Sequence, residues 1–306
     1  DLVEMVYRVV MNLTADFAGI DRQGDSVTET DMLVKLIKAF SAAATIEHST
    51  LDREAINSEA VSNLQLLEMK FLRPSIQRRQ AIIEAGAELP NDVLSAHLQA
   101  DPPLPADVLL REIAFYLQAG AHSTANSTVH AMHEILTWCQ GSDGRRSILL
   151  NDRALLQRCV HESLRLHPAS PVSLRRASQP AEIGGRSLVG GDLVAVNLEK
   201  ANRDPLVFGA DAVEFIPERP LPRSVRPYGL SFGHGIHACL GRDLDGGVVP
   251  KQSVARAEVQ MGIVGSMIEG LLKTGAKWVA DLPPEPDPGT TRNNFSVYPI
   301  ALETGV

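Results

Sequence analysis

The sequence predicts a mainly α-helical protein with small β-sheets. Three observations carry that prediction. Apolar residues recur at helical spacing through much of the first half. The longest such pattern runs from Ala106 to about Cys139. The second half changes to short β-like pieces set off by Gly and Pro turn signals. No alternating strand–helix pattern, dinucleotide-binding fingerprint or P-loop is present.

Leu2, Val3, Val6, Val9, Val10 and Leu13 predict a first helix, which "GIDRQGDS" interrupts. Ser26 with Glu29 reads as a capping box. It precedes a second helix with the apolar face Met32, Leu33, Leu36, Ile37 and Phe40. A mixed stretch then runs to Pro74, which should end or kink its helix. "DPPLP", Asp101–Pro105, predicts a loop before the long helix. "NDRALLQRCVHESLRLHP" predicts a helix stopped by Pro168. "PVSLRRAS", "AEIGGRSLVGGDLVAVNL" and "NNFSVYPIALE" predict short strands, with Gly184-Gly185 and Gly190-Gly191 as hairpin turns. "ANRDPLVFGADAVEFIPERP" reads as irregular, packed coil.

The 306 residues allow one large domain or two modest ones, and 44% hydrophobic residues suffice for a sizeable core. A net charge of −8 argues against a general affinity for nucleic acid or anionic membrane. Cys139, Cys159 and Cys239 form no disulfide framework, so a reducing, cytoplasmic compartment is expected. No apolar run is long enough to span a membrane.

The chemistry concentrates in "SFGHGIHACLGRDL", Ser231–Leu244. Cys239 there is either an inert thiol or a ligand. Gly233, Gly235 and Gly241 permit close backbone approach to a flat group. A soft thiolate suits iron, whereas zinc would want a second Cys at ligand spacing. A cysteine protease, with a distant His and Asn, stays open on spacing alone but leaves the glycines unexplained. His130 and His133 share a helix face without a third ligand nearby. His161-Glu162 begins a zinc-protease pattern that fails at Arg165.

"FGHGIHACLG", Phe232–Gly241, resembles the haem-binding loop of the cytochrome P-450 (haem-thiolate) superfamily. The resemblance makes Cys239 the axial thiolate of haem b (iron-protoporphyrin IX), with Phe232 beside the sulfur and His237 at a propionate. "HESLRLHP" carries Glu162 and Arg165 of the family's Glu-x-x-Arg pair, and Arg219 in "FIPERP" would complete a structural triad. "ANRDP", Ala201–Pro205, is typical of bacterial members, and Arg175 in "LRRAS" matches the family's propionate-binding Arg. "LQAGAHSTANS" resembles the family's oxygen-activating helix, with Ala119, Gly120 and Thr124 in register. His122 then stands at the acid position and Ser123 at the alcohol position of the pair that delivers protons. Ser123 keeps a hydroxyl, and His122 can shuttle protons near neutral pH.

The resemblance implies a single catalytic domain over residues 1–306 with the P-450 fold. The long helix would cross the distal haem face, and Cys239 would bind from the proximal face. Family members run to about 400 residues, so roughly the first quarter of the fold is expected to be missing. "LDGGVVPKQSVARAEVQ" reads as an insertion near 245–260, where the family runs directly into a long helix. The implied activity is that of a soluble, bacterial-type monooxygenase acting on a small organic substrate with O₂. Its electrons would come from NAD(P)H through a ferredoxin or flavodoxin-type partner and its reductase. Arg219, Arg223, Arg226 and Arg242 are candidates for a basic docking patch. Two alternatives remain: a haem-thiolate protein running peroxide-driven or redox-neutral chemistry, and a non-catalytic haem-binding protein.

Overall fold

Asp1 shows how the first helix starts. Its carboxylate accepts the Glu4 N–H at 2.9 Å and the Tyr298 N–H at 2.6 Å. This satisfies a free amide of the first turn and ties it to the C-terminal region. The computed structural model describes residues 1–23, 27–142, 144–251 and 255–303. The capping box expected at Ser26 lies outside the described residues. The Glu29 carboxylate nevertheless reaches back to the Gln23 N–H at 2.6 Å.

Two compact units are distinguished. The first comprises Asp1–Val129 and Val279–Ile300. It contains helices α1 (Leu2–Ala18), α2 (Val27–Ala44), α3 (Arg53–Leu67), α4 (Arg73–Glu84) and α5 (Val93–Leu98), and the first part of α6 (Ala106–Gln140). Leu2, Val3, Val6 and Val10 of α1 are buried as expected, but Val9 and Leu13 are about half exposed, with Phe17 one turn further on. The apolar stripe is therefore wider than the face the unit buries. Pro74 neither ends nor breaks its helix. A π-helical turn at Glu68–Leu72 precedes it and leads directly into α4. A widened turn accommodates a ring and a missing N–H that a regular α-turn would not. Arg79 of α4 is buried and donates to Asp21 (2.8 Å), Asp92 (2.6 Å) and Ser95 (3.0 Å), fixing α5 against α4.

The second unit comprises His130–Trp278 and Ala301–Val306. It holds the end of α6, then α7 (Arg145–Asn151), α8 (Arg153–Leu166), strands β1 (Val172–Arg176), β2 (Ala181–Ile183), β3 (Arg186–Leu188) and β4 (Leu193–Asn197). Next come α9 (Leu198–Asn202), α10 (Pro205–Phe208), α11 (Arg242–Gly246) and α12 (Ile263–Lys273). The segment read as coil thus contains two one-turn helices. β1 pairs antiparallel with β4, and β2 with β3. Gly184-Gly185 makes the β2–β3 hairpin turn as expected. Gly190-Gly191 does not: β3 and β4 lie in different sheets, so that turn links two sheets instead of two partners. Short strands β5 (Lys277–Trp278) in this unit and β6 (Glu285–Pro286), β7 (Phe295–Val297) and β8 (Ile300–Ala301) follow, with β6 and β7 paired antiparallel.

α11 stops after five residues, at Gly246, and α12 begins only at Ile263. The break frees carbonyls that a continuous helix would use. Two fully buried side chains of α8 take them. His161 Nε2 donates to Gly246 O at 2.9 Å, and the Gln157 amide donates to the same oxygen. Gly247 turns the chain with φ 73°, and a Cβ there would lie 2.6 Å from Gln157 Oε1. Glu269 of α12 collects Arg153, Arg256 and Lys273 at 2.8, 2.7 and 3.3 Å, which anchors the connector on its far side. Gly247→Ala must therefore strain the backbone and displace Gln157 together. The expected loss is at least about 2 kcal/mol in urea unfolding, and a loss within error would show that the break is not held as described.

Candidate functional site

The site is built on α8. The Asp152 carboxylate caps it by accepting the Leu155 N–H at 2.9 Å. Two turns on, the helix carries Glu162 and Arg165 into the core. Arg165 is fully buried, so each of its N–H groups needs a partner. Nε and Nη2 donate to the two Glu162 oxygens, both at 2.8 Å. Nη1 donates to the carbonyls of Asn202 (2.6 Å) and Ala212 (2.7 Å). Arg219 joins the same carboxylate at 3.3 Å and donates to Phe208 O and Glu214 O. Glu162, Arg165 and Arg219 thus form one buried cluster that fixes the segment from α9 to Arg219.

Asn202 carries this order to the cysteine loop. It is fully buried. Its amide donates to Arg165 O at 3.0 Å and to Ser231 Oγ at 2.9 Å, and its oxygen accepts the Leu230 N–H at 2.7 Å. Ser231 Oγ donates back to Leu164 O at 2.6 Å. Sequence reasoning quoted "ANRDP" but gave Asn202 no role.

The loop itself closes when the Cys239 N–H donates to Phe232 O at 2.8 Å. Phe232 is buried edge-on against Tyr228, ring centroids 5.1 Å apart. Gly246 lies so close that a Cβ there would meet Phe232 at 2.8 Å. Gly233 has φ 68°, and a Cβ would approach His237 O at 3.2 Å, so the turn is reserved for glycine. Gly235 and His237 bound a 3₁₀ turn, and Gly241 is the N-cap of α11. The Cys239 thiol is exposed. Desolvation by the loop around it pushes its pKa up, and a hydrogen bond from the Gly241 N–H opposes that. Ile236 and Leu240, on the same loop, are 96% and 97% exposed. Arg175 is exposed and folded onto its own strand, donating to Ser173 Oγ at 2.6 Å and Leu174 O at 2.8 Å.

In the first unit, α6 presents Ala119 to Thr124. At Gly120 a Cβ would lie 2.9 Å from Thr14 of α1, which records the close helix–helix approach. The Ser123 hydroxyl donates to Ala119 O at 2.8 Å. Thr124 is buried in the core, one residue and so about 100° around the helix from Ser123. His122 Nδ1 is 2.7 Å from the Tyr7 hydroxyl. Asn126 donates to that hydroxyl at 3.0 Å and to His122 O at 2.9 Å. Arg292 Nη2 lies 3.4 Å from His122 Nε2, and Lys38 Nζ sits 4.4 Å above the Tyr7 ring. Burial first, then the positive charges of Arg292 and Lys38, hold the His122 pKa down to about 3. The expectation of a proton shuttle near neutral pH therefore meets an imidazole held neutral. Burial also pushes the Tyr7 phenol up. Asn126, four residues from His122, was within reach of the motif. Tyr7 and Arg292 lie 115 and 170 residues away and gave no signal.

His130 stacks on His167 at 4.4 Å, and His167 pairs with Glu134 at 2.7 Å. Among the described residues no His/Cys/Asp/Glu group is arranged to hold a metal ion, and no helix is long and apolar enough to cross a membrane.

Residues 129–244 match the family model described as Cytochrome P450. A putative cytochrome P450, YjiB, of Bacillus subtilis is 32% identical over 53% of this chain and 40% of its own length. Cytochrome P450 105C1 of a Streptomyces species is 36% identical over 50% of this chain and 38% of its own. The crystal structure of CalO2 superposes with a TM-score of 0.73 at 18% identity, covering 99% of this chain and 67% of that one. Over residues 129–244 this chain is similar to the cytochrome P450 family. The fold is the cytochrome P450 fold, and the matched region spans about two fifths of the length of these curated relatives.

The cofactor of that family is a haem iron, and the cysteine loop here fits it. An exposed soft thiol stands on a glycine-turned loop, flanked by two apolar side chains that are otherwise in water. The loop's rear is pinned by Phe232 and, through Asn202, by the buried triad.

His161 is fully buried and His122 half-buried, both as neutral imidazoles, with pKa values held down to about 4 and about 3. In the unfolded chain they return to about 6.5. Between that value and about 4 the unfolded state binds more protons, so stability falls as pH falls. Each contributes up to about 1.4 kcal/mol per pH unit there. The histidine part of that slope is expected to shrink in His161→Gln, which keeps a side-chain donor. An unchanged slope in that variant, read by urea unfolding at a series of pH values, would contradict the buried neutral state.

Proposed function

We propose that this chain is the haem-thiolate portion of a monooxygenase. It inserts one oxygen atom of O₂ into a small organic substrate. The overall balance is RH + O₂ + NAD(P)H + H⁺ → ROH + H₂O + NAD(P)⁺, with the electrons passed by a ferredoxin or flavodoxin-type partner and its reductase. The observation that carries this reading is the exposed Cys239 thiol, presented by a loop whose frame is the buried Glu162–Arg165–Arg219 cluster. Bound haem b supplies an electron-rich thiolate-ligated iron that favours O–O cleavage.

The chain's own residues divide the remaining work. Cys239 holds the iron, and Gly233, Gly235 and Gly241 let the loop backbone lie close to a flat ring. His237 and Arg175 are the propionate donors. Arg175 reaches that role by leaving Ser173, a rotamer change at an exposed strand. Ser123 carries the exchangeable hydroxyl proton, and Ala119 holds it when it is not engaged. Gly120 sets the helix spacing, and Thr124 is a core residue.

A second reading has one observation in its favour. Every charge named as acting on His122 is positive, so the position that matches the family's acid has no carboxylate to relay protons. Peroxide brings its own protons and electrons, RH + H₂O₂ → ROH + H₂O, and does not need that relay.

The haem-loaded protein, reduced and exposed to CO, is expected to give the red-shifted Soret band of a thiolate ligand, and Cys239→Ser is expected to lose it. A wild-type spectrum without that band would falsify the ligand assignment. Ser123→Ala is expected to keep the band and to lower product formed with NAD(P)H and redox partners by about 10²-fold. Equal loss with peroxide would move Ser123 from proton delivery to substrate placement.

A further inference from the structure

We propose that Tyr7 and Arg292 lock His122 in its neutral Nδ1–H tautomer, making it a fixed hydrogen-bond hub and not a proton relay. Tyr7 and Arg292 are then positioning residues. The argument runs through donors and acceptors. Asn126 Nδ2 lies 2.9 Å from the His122 carbonyl, which can only accept, so that atom is the amide nitrogen. Its other N–H points to the Tyr7 hydroxyl oxygen at 3.0 Å. On the opposite edge of the ring, Arg292 Nη2 stands 3.4 Å from Nε2. A guanidinium has no acceptor. A proton on Nε2 would face its N–H head-on, and so would either proton arrangement that includes one there, the Nε2–H tautomer or the imidazolium. Nε2 accepts from Arg292, and the single ring proton is left on Nδ1, where the Tyr7 oxygen accepts it at 2.7 Å; the Tyr7 O–H then turns away from the ring and is the one donor this arrangement leaves without an acceptor among the described residues.

The surroundings support this arrangement from every side. Lys38 of α2 lies over the Tyr7 ring, and Arg292 approaches from the segment before β7. The carboxylates in their fields, Asp287, Glu47 and Glu4, act on the cations and are not among the groups acting on His122. Arg292 is further held by Thr45 Oγ1 at 3.2 Å and Thr290 Oγ1 at 3.3 Å, so its place does not depend on His122 alone. Taking up or releasing a proton at His122 would break the contact to Arg292 or to Tyr7. The consequence for catalysis rests on the monooxygenase reading: proton delivery falls to Ser123 and its solvent, with His122 as a support.

The test uses the full chain labelled with ¹⁵N-histidine. There are nine histidines, and His122 is assigned by the signal lost in His122→Gln. Long-range ¹H–¹⁵N correlation is expected to show Nδ1 protonated and Nε2 bare, without titration from about pH 8 to pH 5, the interval in which an ordinary histidine changes charge. An Nε2–H pattern, or a titration inside that interval, overturns the proposal. Arg292→Met removes both the donor and a charge, and its His122 midpoint is expected to rise by at least one pH unit, a tenfold change in imidazolium. Arg292→Lys keeps a cationic donor and is expected to stay near wild type. If the methionine variant fails to fold, the wild-type tautomer alone decides. The measurement needs neither haem nor turnover, so a wild-type CO spectrum without the red-shifted band would strike the haem-thiolate reading and leave the tautomer assignment standing.

Discussion

The second unit depends on a guanidinium that has no water. Arg165 must find every hydrogen bond inside the protein, and it does so with the Glu162 carboxylate and the carbonyls of Asn202, Ala212 and Glu214, drawing two chain segments onto α8. Such a cluster contributes little net stability compared with a well-packed apolar core, because desolvation consumes most of the Coulomb gain. Its value is geometric. Glu162 can satisfy Arg165, Arg219 and the Ile216 N–H only in one arrangement. That arrangement places Asn202, and Asn202 places Leu230 and Ser231 at the mouth of the cysteine loop. The position of Cys239 thus depends on the buried Glu162–Arg165–Arg219 cluster, through Asn202, as well as on the loop's own glycines and Phe232.

The same α8 helix supports the loop's far end. Where α11 breaks, Gln157 and His161 take the free Gly246 carbonyl, and Gly246 in turn packs against Phe232. Phe232 is also the acceptor for the Cys239 N–H. One helix therefore holds both ends of the loop, through Arg165 and Asn202 on one side and His161 and Gln157 on the other. The break between α11 and α12 is tolerated because Gly246 O is answered by fully buried donors and Arg256 is tied to Glu269.

Much of this was legible beforehand for a physical reason. The long helix, the Pro168 stop and the Gly184-Gly185 hairpin are local features, written in periodicity and turn chemistry. The loop around Cys239 was legible because close approach and left-handed backbone leave glycines in fixed places. Pro74 ends no helical run because the π-turn before it absorbs what would otherwise stop the helix, leaving Pro74 in the first turn of α4. Gly190-Gly191 misled because a tight turn says nothing about which strands pair across it. The surroundings of His122 were illegible because Tyr7, Lys38 and Arg292 come from three distant elements, and a motif around one helix carries no trace of them.

That last point decides how His122 differs from a carboxylate at the same position. A carboxylate there would pair with the nearby Arg292 and draw on the field of Lys38, gaining from both charges. An imidazole gains from neither. It can accept one N–H at Nε2, and both positive charges penalise its protonated form. At neutral pH the imidazole therefore carries no extra proton, and in the tautomer proposed above it stands as a neutral group between Tyr7 and Arg292.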